Sequence, residues 1–354
     1  MKKNICGIQQ IGIGVPNVQN IWKWYREAFG IDIKIFEEAA EAPLMTDYTG
    51  NKVQSRTATL ALSMEGGGGF EIWQYTSRDT LKANFEIQPG DYGLYAAKIK
   101  SKDVIKTFDF FNEIGLKPLN KPSKSPNGSL NFFVKDPNEN IFQIVESNDW
   151  FSNTKHPSHC GGPNGIIIGV SDIDKSLNFY QDLLEYDKIE YDITDDFEDL
   201  NSLPGYKGKY RRVKLSHTNK RTGPFSQLLG ASEIELIQSV DRTDCKKIFA
   251  DRYWGDWGFI HLCFDIQGMD LLKSECEAKG YPFTVDSDNS FDMGEAAGRF
   301  SYIEDPDGTL IEFVETHKVP IIKKIGWYIN LKKRKVGKNL PRFILKAMGL
   351  NRVK

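Results

Sequence analysis

The chain has 354 residues, enough for two domains of ordinary size, with 40% hydrophobic and 27% charged residues. No apolar run approaches the roughly 20 residues that a membrane-spanning helix needs, and Gln9, Gln10 and Pro16 interrupt the start, so neither a spanning segment nor a signal peptide is expected. The net charge of −2 is unevenly spread: residues 318–354 hold 12 Lys/Arg and no Asp/Glu, leaving 34 basic against 48 acidic residues elsewhere, an acidic body that argues against nucleic acid as partner.

A first strand is expected in QIGIGV, residues 10–15, followed by a helix whose stripe is Ile21, Trp24, Tyr25 and Ala28. The turn GGGG at 66–69 leads into the strand GFEIWQY. A second unit carries the helical stripe Val104, Phe108, Phe111 and Ile114, the turn PNG at 126–128, and the closing run DPNENIFQIVE. Residues 10–25, QIGIGVPNVQNIWKWY, then return 155 positions later as GIIIGVSDIDKSLNFY. This third unit has the stripe Ile173, Leu177, Tyr180 and Leu184, and the strand EIELIQ. A fourth opens with GFIHLCFDI, has a weaker helical candidate at 268–279, and closes with EDPDGTLIEFVE.

The offset between halves grows from 155 at Val15/Val170 to 169 at Asp136/Asp305, which calls for insertions around 190–225 and 240–255 in the second half. Each unit is one strand, one helix and further strands, too small to bury a core alone, so the units must pair. The organisation read from this is 1–150 (two modules), a linker at 151–163, 164–317 (two modules), and a basic amphipathic extension at 318–354. The five cysteines are scattered with no CxxC pair, which fits reduced thiols and a cytoplasmic chain.

Strand alternation sorts the polar residues. Gln10, Gly12 and Gly14 share one face of their strand, and His261, Cys263 and Asp265 share one face of theirs. Glu71 lies opposite Phe70 and Ile72, and Glu312 opposite Ile311 and Phe313. His156, His159 and Cys160, in KHPSHCGGPNG, are read as linker rather than as a metal cluster.

Residues 8–316, through these repeated segments, resemble the vicinal oxygen chelate superfamily of glyoxalases, epimerases and extradiol dioxygenases. The resemblance implies an α+β fold of four βαβββ modules pairing into two half-open barrels, with the basic C-terminal tail read as helical. It implies one metal ligand from the first and one from the last strand of each module. Matched residue by residue, these are Gln10 and Glu71, Leu94 and Gln143, Gly165 and Glu235, and His261 and Glu312. If neighbouring modules pair, the set is Glu235, His261 and Glu312. If the pairing is crossed, it is Gln10, Glu71, His261 and Glu312. The crossed pairing is preferred, because it leaves one complete set and one incomplete set.

The resemblance further implies one divalent ion (Zn, Ni, Co, Mn or Fe), with Glu312 or Glu71 as general base. The activity implied is that of a glyoxalase-like lyase or an isomerase/epimerase, acting through a chelated enediolate or enolate of a small oxygenated substrate. The alternatives are an Fe(II) ring-cleaving dioxygenase and a non-enzymatic small-molecule-binding protein. Trp73, Tyr253, Trp254, Trp257 and Phe259 are candidate pocket walls, and Arg299 and Tyr302 are candidates for holding an anionic substrate. The tail is read as docking on the acidic body or lying on an anionic membrane.

Overall fold

The computed structural model describes residues 3–152, 159–288, 291–292, 297–322 and 325–353. The first module is β1 (Asn4–Gly14), α1 (Val18–Phe29), β2 (Ile33–Glu41), β3 (Ser55–Leu62) and β4 (Gly69–Tyr75). The second is β5 (Gly93–Ser101), α2 (Val104–Glu113), β6 (Ser123–Lys124), β7 (Leu130–Lys135) and β8 (Ile141–Glu146). The third is β9 (Cys160–Gly169), α3 (Ile173–Asp182), β10 (Lys188–Asp195), β11 (Tyr210–Ser216), α4 (Ser226–Leu229) and β12 (Glu233–Ser239). The fourth is β13 (Gly258–Gln267), α5 (Met269–Ala278), β14 (Val285–Asp286), β15 (Phe291–Asp292), β16 (Ala297–Glu304) and β17 (Leu310–Ile322). The remainder forms β18 (Trp327–Asn330), α6 (Arg342–Ala347) and a 3-10 turn, Met348–Asn351.

The modules pair in crossed order. One sheet runs β14-β16-β17-β13-β1-β4-β3-β2, joining the first and fourth modules. The other runs β10-β11-β12-β9-β5-β8-β7-β6, joining the second and third. β1 meets β13 antiparallel, and β5 meets β9 antiparallel. Each sheet therefore draws one module from each half of the chain. β9 begins at Cys160, inside the stretch read as linker; its neighbour His159 stands beside Phe110, with ring centres 5.1 Å apart, and His156 lies outside the described residues.

The helices start where short polar residues cap them. Asn17, Asp103 and Asp172 accept from the backbone N–H three residues on, opening α1, α2 and α3. α5 follows Gly268 with no side-chain cap, in keeping with its weaker periodicity. The buried stripe of α1 is Val18, Ile21, Trp22, Tyr25, Ala28 and Phe29, while Trp24 is only half-buried. The helix-facing sides of both sheets share one core, including Ile11, Ile13, Phe70, Phe142, Ile168, Leu262 and Phe313.

Two buried contacts repeat with the modules and tie the sheets together. The Tyr25 hydroxyl donates to Asp136 (2.7 Å), and the Tyr180 hydroxyl donates to Asp305 (2.8 Å). Each joins the helix of one module to the turn before the last strand of the next. The other oxygen of each aspartate accepts two backbone N–H groups in its own turn.

The larger insertion overlaps the first of the two expected ranges. Residues 63–68 connect β3 to β4, but the equivalent link between β11 and β12 spans 217–232 and contains α4. The link at 240–257, where the second insertion was expected, is only one residue longer than its first-half counterpart at 76–92. The C-terminal extension is only partly helical. Its first residues lengthen β17, β18 pairs back on that strand, and Leu331, Leu340, Leu345 and Met348 are buried against the body. Among the described residues no helix is long and apolar enough to cross a membrane.

Candidate metal centre

The register places four polar side chains at one spot on the first sheet. Gly12 lies opposite His261 on β13 and beside Glu71 on β4. Two residues along, Gln10 lies opposite Cys263, which is beside Glu312 on β17. A step of two keeps side chains on one face, so Gln10, Glu71, His261 and Glu312 converge. His261 Nε2 stands 3.1 Å from Glu312 Oε2 and 3.4 Å from Glu71 Oε2. Gln10 Nε2 lies 3.5 Å from the same Glu71 oxygen and 3.4 Å from the same Glu312 oxygen.

Gly12 leaves the room that His261 needs. A Cβ built at Gly12 would lie 2.3 Å from the imidazole Cε1 and 2.4 Å from Nε2. The Tyr302 hydroxyl, 3.3 Å from His261 Nδ1, holds the other ring nitrogen. The Trp254 ring lies parallel to the imidazole at 6.3 Å and packs against Trp73 at 4.4 Å.

His261 is fully buried, and Gln10 and Glu312 are nearly so. Burial works against charge on His261, but the Glu312 and Glu71 carboxylates outweigh it and raise its pKa above the ordinary imidazole value. Burial raises the Glu312 carboxyl, His261 opposes that, and Glu71 adds to it. Tyr302 is pushed well above the usual phenol range by burial and then by Glu312 and Glu71.

This donor set fits a divalent cation. Glu71, His261 and Glu312 each present a ligand atom within 4.8 Å of the others. Ligands about 2.0–2.2 Å from an ion, at tetrahedral to octahedral angles, sit about 3.0–3.4 Å apart, as His261 Nε2 does from both carboxylates. Gln10 Oε1 is buried without a hydrogen-bond partner among the described residues, and His261 Nε2 is buried facing the two carboxylates without well-formed hydrogen-bond geometry to either. Such orphaned buried atoms are costly unless something satisfies them. Turning the Gln10 amide exchanges its N and O and adds a fourth oxygen or nitrogen donor.

The centre opens into a cavity of about 470 Å³ lined mainly by apolar side chains, including Leu60, Trp73, Phe225, Leu229, Trp254 and Met348. Arg56 is the one cation among the described lining residues, and Glu38 holds it at 2.8 Å. Of the aromatic residues expected as walls, Trp73 and Trp254 line the cavity. Phe259 is in the inter-sheet core, Tyr253 is exposed, and Trp257 donates to Thr80. Arg299 is bound by Asp286 and Asp270, outside the lining, whereas Tyr302 faces the centre. The insertion at 217–232 and the C-terminal extension supply Phe225, Leu228, Leu229 and Met348 to the cavity; helical or loop signals alone could not have placed them there.

The second sheet holds the corresponding positions in another state. Glu235 lies beside Ile167, and Gln143 beside Lys98, as Glu71 lies beside Gly12 and Glu312 beside Cys263. The residue opposite Ile167 is Ala96, so Ala96, not Leu94, is the counterpart of His261. Leu94 corresponds to Phe259, both lying in the core between the sheets. Both strands are irregular at this point, between Leu94 and Ala96 and between Phe259 and His261, so Gly93 aligns with Gly258 and Ala96 with His261. The cleft is filled rather than open. Lys98 binds Glu235 and Glu233, each at 2.6 Å, Arg212 binds Glu235 at 2.6 Å and Asp199 at 2.7 Å, and Lys214 binds Glu233 at 2.7 Å. Three cations thus face three carboxylates, and the Arg212 guanidinium stacks 4.6 Å from the centre of the Phe197 ring, which belongs to a buried cluster with Leu200 and Leu203. Burial disfavours the charged Glu235, but Arg212 and Lys98 outweigh it and hold its carboxyl well below the usual range.

With this geometry established, sequence models place the chain in a family. Residues 7–144 and 164–302 each match models of the glyoxalase/bleomycin resistance protein/dioxygenase superfamily. The chain belongs to that superfamily, as a member with the domain duplicated. No curated protein matched the chain. Among solved structures it is similar to glyoxalase I from Zea mays, at 14% identity and TM-score 0.51, over 89% of this chain and 92% of that one. It is also similar to a putative dioxygenase from Bacillus subtilis subsp. subtilis str. 168, at 15% identity and TM-score 0.55, over 89% and 86%. At these identities the likeness concerns the fold.

Proposed function

We propose that the chain is a metal-dependent enzyme of isomerase or glyoxalase-like lyase type, which moves a proton at a carbon next to two adjacent substrate oxygens. The observation that carries this reading is the convergence of Glu71, His261 and Glu312 on one spot, with His261 and Glu312 buried and an apolar cavity opening from it. Gln10, Glu71, His261 and Glu312 would hold one divalent ion. When bound, that ion polarises the paired oxygens and acidifies the neighbouring C–H.

The chain's own groups supply the rest. Glu312 and Glu71 face the cavity, and either carboxylate can take the proton; burial raises the basicity of Glu312. Tyr302 fixes the orientation of His261 through Nδ1. Trp73, Trp254 and Phe225 keep water from the reacting carbon. One histidine with two glutamates departs from the two-His, one-carboxylate set of ring-cleaving iron enzymes, which argues against a dioxygenase.

The lining also favours a substrate body that is apolar and neutral. Its single cation, Arg56, is already neutralised by Glu38, so a multiply anionic conjugate finds no free counter-charge there among the described residues. The test is proton exchange in D₂O. Metal-loaded protein is incubated with apolar α-hydroxyketones and α-ketoaldehydes, and C–H exchange is followed by NMR. Exchange that Glu312→Gln reduces at least tenfold supports the reading. Stoichiometric metal with no exchange across the panel sinks it, and absence of metal leaves a binding protein.

A further inference from the structure

We propose that the C-terminal extension docks the chain on an anionic membrane surface, with the wall of the cavity turned towards the lipid. This does not depend on the metal centre. Four buried residues, Leu331, Leu340, Leu345 and Met348, pin the segment to the body. Five lysine side chains of the same segment point out. Lys332, Lys333, Lys335, Lys338 and Lys346 are exposed, with no ion-pair partner among the described residues. No acidic residue occurs anywhere from 318 to 354.

The same segment exposes apolar groups that a folded chain normally hides. Phe343 is 68% exposed and Leu350 59%, and with Lys346 they form an outward stripe over α6 and the following turn. Leu345 and Met348 form the opposite, buried stripe. Cations flanking exposed aromatic and aliphatic groups suit an anionic lipid surface, which takes up both charge and apolar area. Nucleic acid would use the lysines but leave Phe343 and Leu350 in water.

The position of the segment gives docking a use. Met348 lines the cavity on the inner side of the segment whose outer side carries Phe343, Lys346 and Leu350. Leu345 packs in the cluster that contains Leu228 and Leu229, also in the lining. A surface-bound chain would thus hold an apolar cavity close to a reservoir of lipophilic molecules.

The full chain is tested by co-sedimentation with phosphatidylcholine vesicles and with vesicles containing about a third phosphatidylserine. Binding to the anionic vesicles is expected, weakening steeply with salt. Lys332→Ala/Lys333→Ala/Lys335→Ala should lower partitioning by roughly fivefold per lysine, about a hundredfold in all. Phe343→Ser/Leu350→Ser should lower it further while near-ultraviolet circular dichroism is unchanged. Should the triple variant not fold, the salt titration of the unaltered chain decides. Equal binding to neutral and anionic vesicles overturns the proposal. So does tighter binding to duplex DNA at the same salt, or self-association that the same variants abolish.

Discussion

His261 lies across the space that Gly12 leaves empty: a Cβ at Gly12 would come within 2.3 Å of the imidazole. Gly12 does not need its glycine for backbone conformation, since it is not among the positive-φ residues. Its role is the room it gives the ring. Gly12→Ala should therefore displace His261 and lower divalent-metal affinity at least tenfold. Overpacking of this kind costs about 1–3 kcal/mol, measurable as a shift in denaturant midpoint. Full metal affinity in a stable Gly12→Ala protein would show that the imbalance is absorbed elsewhere.

Tyr302 should act through His261 rather than on substrate. Its hydroxyl is 3.3 Å from Nδ1, and removing a partner that orients a ligand costs about 10–100-fold in metal affinity. Tyr302→Phe keeps the ring packing and is expected to show that loss by competitive chelator titration. An unchanged affinity would separate Tyr302 from the centre.

The filled second cleft should matter for stability and not for metal. Glu235→Ala leaves Lys98 and Arg212 buried with fewer counter-charges, a change that costs about 3–5 kcal/mol. Equilibrium unfolding should show that loss, while whatever protein remains folded binds metal as before.

Asp265 predicts a pH dependence. It is buried, and burial pushes its pKa up to about 7, against hydrogen bonds from groups such as Thr316. Its Oδ2 has no partner among the described residues. The folded state then holds a proton that the unfolded state has released above about pH 4, so stability falls as pH rises from there to about 7 and levels off beyond. Asp265→Asn removes that cost. Its gain over the unaltered chain should grow by about 2–3 kcal/mol between about pH 5 and pH 8. A constant difference would mean Asp265 is ionised throughout.

Much of this was legible in the sequence because strand geometry is periodic. The step of two that puts Gln10 with Gly12 and His261 with Cys263 also puts Glu71 and Glu312 opposite apolar neighbours, and the register then brings them together. That Gly165, with no ligating side chain, stands where the first module has Gln10 foreshadowed the crossed pairing, because only that pairing leaves one complete set. The exact register was not legible in the second module: Leu94 and Ala96 lie two apart on one strand, neither carries a polar side chain to mark which one faces Ile167, and it is Ala96. Nor were the contacts that close the cavity. Phe225, Leu229 and Met348 arrive from an insertion and a terminal segment whose docking depends on surfaces formed by other modules. Tyr302 was legible only as a candidate for holding substrate; its contact with His261 was not, because that partner lies on a strand 41 residues away in the chain.

The central claim is that Glu71 of the first module and His261 and Glu312 of the fourth hold one divalent ion between them. Metal content of the purified full chain, read by inductively coupled plasma mass spectrometry after loading and gel filtration, tests it most directly. The account predicts one equivalent per chain, lost in Glu71→Ala with the fold intact. No retained metal in the unaltered chain, or an undiminished equivalent in Glu71→Ala, would contradict it.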